Sequence, residues 1–134
     1  MSQQNVDVVR ASFEAWNAGD MDALREYFDP NVILHTLEGW PEPGPYIGRD
    51  AVMRWFEQLR ETWDSDAFDR IDFIDAGDRV LARNSWHGAG SGPDSNIEFT
   101  NVYMLRKGRV VYQEQFWDHA EALEAVGLSE QDAP

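Results

Sequence analysis

A change of period near residue 67 restricts the fold of this chain more than any other feature of its sequence. Upstream, apolar residues recur three and four positions apart: Val6, Val9, Phe13 and Trp16, then Met21, Leu24, Tyr27 and Phe28, then Val52, Trp55, Phe56, Leu59 and Trp63. From Ala67 onward the spacing becomes two, with Ile71 and Phe73 alternating against charged residues and Val80, Ala82, Asn84 and Trp86 sharing one parity. The first spacing places side chains on one face of a helix, and the second places them on one face of a strand. Helices followed by a run of hairpin strands give an α+β architecture, in which a strongly curved, mostly antiparallel sheet buries its concave face against three or four helices. The expected shape is a cone-like barrel.

Local signals divide these segments. Asn5 is expected to cap the first helix and Gly19 to end it, with Asp20 capping the second and Asp29-Pro30-Asn31 closing it before a strand over 32–37. The segment 38–48 holds three prolines and three glycines beside Trp40 and Tyr46, so it reads as a loop lying over something. Asp50 is the expected cap of a third helix. Ala76-Gly77-Asp78 turns one strand into the next, Gly88 to Ser95 reads as a flexible connection, and Lys107-Gly108 joins a strand over 96–106 to one over 109–117. Asp118 then caps a last helix that stops at Gly127. The order is ααβαββββα without an internal repeat, and 134 residues suit one domain spanning 1–134.

Composition excludes several chemistries. With 25 acidic residues against 11 basic ones and a net charge of −14, the chain repels phosphate backbones and anionic headgroups, so neither nucleic acid nor a membrane surface is an expected partner. No cysteine is present, which removes disulfides, thiolate metal sites and cysteine nucleophiles. Three histidines without metal-ligand spacing give no case for a metal, and His87 and His119 are assigned to solvent. The N-terminal residues show no basic segment followed by an apolar run, and no stretch has the roughly 18 apolar residues of a membrane span. A soluble cytoplasmic protein is expected. Six tryptophans and seven phenylalanines exceed what one layer of core takes up, so part of them should line a cavity.

The run from Val9 to Asp20, Asp29-Pro30-Asn31-Val32-Ile33-Leu34-His35, Gly44 to Gly48, Ala76 to Val80, Lys107 to Val110 and the ending Glu121 to Leu128 together resemble the SnoaL-like branch of the NTF2-like superfamily. That resemblance implies a cone-shaped α+β barrel with a cavity, commonly paired as a homodimer through the outer sheet face. It does not fix a function, since the superfamily holds ketosteroid isomerases, polyketide cyclases, limonene epoxide hydrolases and proteins without catalysis.

The resemblance also singles out positions. His35 falls where the isomerases carry their general-base carboxylate, and an imidazole can carry a proton from a carbon next to a carbonyl. Asn101 falls at the acidic oxyanion donor of the isomerases and the active-site histidine of the cyclases, where an amide still donates but does not transfer a proton. Gln115 replaces the aspartate of cyclases and epoxide hydrolases, and the hydrolases' charged partners fall at Asn84 and Trp86, which excludes epoxide hydrolysis by that mechanism. Ser12 replaces the tyrosine of the isomerase oxyanion site. Glu114 and Asp118 offer acid or base function if the last strand bulges, although Asp118 reads first as a helix cap. Simple hairpin pairing puts Phe99, Asn101 and Tyr103 on one face with Tyr112, Glu114 and Phe116, whereas the resemblance turns Gln115 and Trp117 inward and requires that bulge.

Trp16, Trp40, Tyr46, Trp55, Trp86, Tyr103 and Trp117 form the expected aromatic wall, suited to a small flat hydrophobic ligand whose polar end meets His35 and Asn101. Three readings follow. One is a cofactor-independent isomerase or cyclase in which His35 moves a proton on a carbonyl compound. In a second the same pocket, without the family's carboxylates, holds a hydrophobic molecule and does no chemistry. A third makes the domain mainly a dimerisation module.

Overall fold

The computed structural model describes residues 2–41, 44–90 and 92–129. Glu42 and Pro43 of the proline-rich loop, Ser91 of the glycine-rich connection and the last five residues lie outside them.

Helix α1 (Ser2–Ala18) begins three residues before Asn5. Asn5 does not cap it; its side-chain amide donates to the Gly77 carbonyl at 3.0 Å and ties the helix to a strand turn. The apolar stripe Val6, Val9, Phe13 and Trp16 is buried as its spacing requires. Gly19, at φ 74°, ends the helix, and Asp20 caps α2 (Met21–Glu26) by accepting from the Ala23 N–H at 3.0 Å.

Strand β1 (Phe28–His35) starts earlier than the Asp29-Pro30-Asn31 cluster suggests. The Val110 N–H reaches the Tyr27 carbonyl at 2.8 Å and draws the start of the segment into the sheet, while the pairing is irregular between Phe28 and Ile33, where Pro30 has no N–H to give. A two-residue strand, β2 (Tyr46–Ile47), pairs antiparallel with Ile33 and Leu34 and extends the expected order to ααββαββββα. Gly48, at φ 94°, rather than Asp50, sits at the N-cap of α3 (Arg49–Glu61) and supplies no side-chain bond. Asp50 lies in the first turn instead and is engaged by Arg25, whose hydrogen bond and charge hold its carboxyl below the ordinary value.

The remaining strands are β3 (Ser65–Ala76), β4 (Arg79–Ala89), β5 (Ser95–Arg106) and β6 (Arg109–Phe116), followed by α4 (His119–Ala125). They complete a six-stranded, unclosed sheet in the order β2-β1-β6-β5-β4-β3. Neighbours run antiparallel except β1 and β6, which are parallel. Lys107 and Gly108, both at positive φ, make the tight turn between β5 and β6. Just past it the register slips: Leu105 faces Val110 but Met104 faces Tyr112, leaving Val111 as the extra residue of a bulge. That slip brings Gln113 opposite Tyr103 and Gln115 opposite Asn101.

The two faces of the sheet carry separate cores. Val32, Leu34, Val80, Ala82, Tyr103 and Val110 on the concave face pack with the stripes of α1 and α3. Leu81 and Val102 on the convex face pack with Ala122 and Leu123 of α4. No helix among the described residues is long and apolar enough to cross a membrane.

Candidate functional site

The concave face does not close completely over its helices. It leaves a cavity of about 70 Å³ between the sheet, α1 and α3. A buried water needs on the order of 10–15 Å³ of such space, so several waters or a small ring system fit. Phe13, Trp16, Phe28, Trp40, Trp55, Phe56, Phe68, Trp86, Phe99 and Tyr103 supply the aromatic part of the wall, with Leu24, Leu37, Leu59 and Ile97 between them. Ser12, Asn101, Gln113 and Gln115 supply the polar part.

Each wall has a local cause. Trp16 is on the inner stripe of α1, and Trp55 is buried on α3 between Phe56 and Tyr46, with ring centroids 5.6 and 5.7 Å away. Trp40, from the proline-rich loop, closes over Trp55 edge-on at 6.5 Å. Trp86 follows the inward parity of β4 and is backed by Trp63, which lies just past the end of α3 rather than within it, at 5.4 Å. Beneath the indoles lies Asp66, its side chain 3% exposed, which accepts from Trp16 Nε1 at 2.6 Å and Trp86 Nε1 at 3.1 Å. Arg60 balances its charge at 3.6 Å and also stacks over the Trp16 ring at 4.7 Å.

The polar side is a chain of amides. Gln113 Nε2 donates to Asn101 Oδ1 at 2.9 Å, and Asn101 Nδ2 donates to Asn84 Oδ1 at 2.8 Å. All three residues are almost completely buried. Gln115 Oε1 accepts from the Leu37 N–H at 3.3 Å, and Ser12 Oγ donates to the Val9 carbonyl at 2.6 Å. Burial pushes the Tyr103 phenol far above its ordinary value, so it stays neutral.

The sequence-predicted residues separate on this geometry. Asn101 and Gln115 are directly opposite each other across β5 and β6 and both line the cavity, as do Trp16, Trp40, Trp55, Trp86 and Tyr103. The expected position of His35 is corrected: Leu34, paired with Gln113, takes the concave parity, so His35, paired with Glu114, lies on the convex face with its ring 5.4 Å from that of Tyr112. Glu114 accepts from the Tyr112 hydroxyl at 2.8 Å on that same outer face. Trp117 lies past the end of β6, is 50% exposed and donates to the Glu38 carbonyl at 2.8 Å, outside the cavity lining. Tyr46 stands behind Trp55 rather than on the wall. Asp118 accepts from the Ala120 N–H at 2.9 Å as the cap of α4. His87 is bonded to Asp69 on the surface, whereas His119, assigned to solvent, is half-buried with its Nδ1 2.9 Å from the Thr100 hydroxyl.

Gln113 and Asp66 are not singled out by the sequence. Gln113 has the parity of Gln115 and follows from the same bulge. Asp66 gives no such signal, because an aspartate next to a strand start reads as one more surface charge. Among the described residues, no three histidine, cysteine, aspartate or glutamate side chains cluster in a way that suits a metal.

Comparisons with known proteins agree with this architecture. A family model, the SnoaL-like domain, matches residues 9–113. Among curated proteins none matches the chain in sequence. Among solved structures, Bal32a from a soil-derived mobile gene cassette superposes with a TM-score of 0.79 at 25% identity, over 85% of this chain and 88% of its own. An NTF2-like protein of unknown function from Burkholderia pseudomallei gives 0.76 at 23% identity over 92% and 98%. A candidate polyketide cyclase from Sinorhizobium meliloti gives 0.68 at 26% identity over 81% and 93%.

Proposed function

Because this chain belongs to the SnoaL-like domain family, we propose that it is a small-molecule binding protein whose cavity holds a flat, largely apolar compound with one neutral polar edge. One observation carries the reading: among the described residues, Tyr103 alone of those lining the cavity is ionisable, and burial keeps it protonated. Moving a proton to or from carbon needs a group whose pKa lies near the working pH, within hydrogen-bond reach of the ligand. Here the lining offers amides, a hydroxyl and rings. These groups hold and orient a ligand; they do not take its protons. Aromatic walls supply area and the amides supply orientation. To this reading we add a homodimer, which the resemblance implies, and a cytoplasmic location; sedimentation of the purified protein and cell fractionation check them.

The test is direct. Tryptophan emission titrated with naphthalene should change saturably at one site per chain, since four of the six tryptophans line the cavity. In parallel, 1-tetralone incubated with the protein in D2O should exchange its α-hydrogens no faster than in buffer. A flat titration would remove the binding reading. Accelerated exchange would replace it with the isomerase or cyclase reading.

A further inference from the structure

The chain Gln113 to Asn101 to Asn84 has two open ends: Gln113 Oε1 and Asn84 Nδ2 are buried without a hydrogen-bond partner. Native proteins seldom leave such atoms unpaired, and an unpaired one calls for a partner from outside the chain. Gln113 lines the cavity and Asn84 does not, so the Gln113 end of the chain is the one within reach of a molecule bound there. Which atom Gln113 offers it is not fixed by the protein. A carboxamide carries an acceptor and a donor on opposite sides of a nearly symmetric plane, and half a turn exchanges them. If all three amides turn, Asn84 Nδ2 donates to Asn101 Oδ1, Asn101 Nδ2 donates to Gln113 Oε1, and Gln113 Nε2 becomes the open end. Two internal bonds exist in either direction. A partial turn would set N–H against N–H or oxygen against oxygen, so the three amides move together.

Resting on the binding function proposed above, we infer that Asn84, Asn101 and Gln113 form a reversible amide relay through which the cavity takes either a hydroxyl or a carbonyl at one position. The ligand class is a neutral ring compound whose polar group is a phenol or enol in one form and a ketone in another. Gln115 shows the contrast. Its Oε1 is tied to the Leu37 N–H, so its amide does not turn without losing that bond. Among the described residues no charged group lines the cavity, which disfavours an anionic partner for the relay.

Three probes of similar size separate the outcomes: naphthalene, 1-naphthol and 1-tetralone, each titrated against the intact protein. One added hydrogen bond to a buried amide corresponds to roughly tenfold in affinity, so both polar probes should bind about tenfold tighter than naphthalene. Asn101→Asp places a carboxylate that accepts from both Asn84 and Gln113 and holds Gln113 Oε1 toward the ligand. 1-Naphthol should then keep its advantage while 1-tetralone loses it. Gln113→Leu should bring both polar probes to the level of naphthalene. If Asn101→Asp does not fold, Gln113→Glu, which offers only an acceptor once it accepts from Asn101, should give the same split. Naphthalene binding with no gain for one or both polar probes, or an equal effect of Asn101→Asp on both, overturns the relay alone. Failure of naphthalene to bind overturns the binding function itself, and the relay falls with it.

Discussion

The indole N–H of Trp16 donates to Asp66 Oδ2 over 2.6 Å, joining the inner stripe of α1 to the start of β3. Trp86 of β4 donates to the same oxygen, so one carboxylate sets the positions of two walls of the cavity. Both donors are neutral, and Arg60 at 3.6 Å supplies the countercharge. Hydrogen bonds to a charged acceptor each contribute about 1.5–3 kcal/mol, and removing one partner of a buried ion pair leaves the other uncompensated. Asp66→Ala should therefore cost about 3 kcal/mol in urea unfolding and shift tryptophan emission to the red as both indoles lose their anchor. An unchanged midpoint would mean that the carboxylate does not fix these rings.

A second consequence concerns Gly88, on β4 two residues past Trp86. A Cβ there would lie 2.6 Å from Trp86 Cη2 and 2.8 Å from Trp63 Cδ2, closer than side chains approach. Gly88→Ala must push one indole aside, an overpacking that costs about 1–3 kcal/mol and should alter the near-UV circular dichroism of the Trp63–Trp86 pair. Gly92→Ala, where nothing lies within 4 Å of the added carbon, is the control and should be neutral within about 0.5 kcal/mol. Equal stability of the two variants would contradict the packing described for this corner.

The periodic parts of the fold were readable because each rests on a local rule. The stripe of α1, the Gly19 stop, the Asp20 cap and the Lys107-Gly108 turn all depend on neighbours a few residues away. Asn5 and Asp50 depart from their expected capping roles for the opposite reason: Gly77 and Arg25, far off in sequence, take the side chains that local rules assign to caps. The site was legible in part. Alternation alone placed Tyr112 and Glu114 inward, and one bulged residue, Val111, reverses the parity of the strand and brings Gln113 and Gln115 to the cavity instead. The face of His35 is not legible because its parity depends on Leu34 being the residue that packs inward, which the apolar run Val32-Ile33-Leu34 does not reveal.

The outer face has its own pH signature. The Tyr112 phenol is pushed up to about 12, first by burial and then by the hydrogen bond it donates to Glu114 and that carboxylate's charge. An unfolded tyrosine titrates near 10, so the folded chain binds this proton more tightly than the unfolded one. The resulting stabilisation is complete below pH 10 and is lost as pH rises from about 10 to 12. Tyr112→Phe should make that decline shallower, with the buried Tyr103 phenol supplying the rest, measured by urea midpoints at successive pH values. Parallel decline of both proteins would show that Tyr112 is not responsible.

Finally, His35 provides a test of the geometry independent of Gln113. Its ring lies against Tyr112 on the convex face, while Leu34 fills the concave side of the strand at the same level. His35→Ala removes a half-buried ring and its contact with Tyr112, a change expected to cost about 1 kcal/mol or less. Ligand affinity should stay within twofold of wild type, measured by tryptophan quenching with 1-naphthol. Gln113→Leu, on the neighbouring strand but the opposite face, should reduce the same affinity about tenfold. A large loss of affinity in His35→Ala with Gln113→Leu unaffected would mean that the ligand binds on the outer face of the sheet rather than beneath the tryptophans.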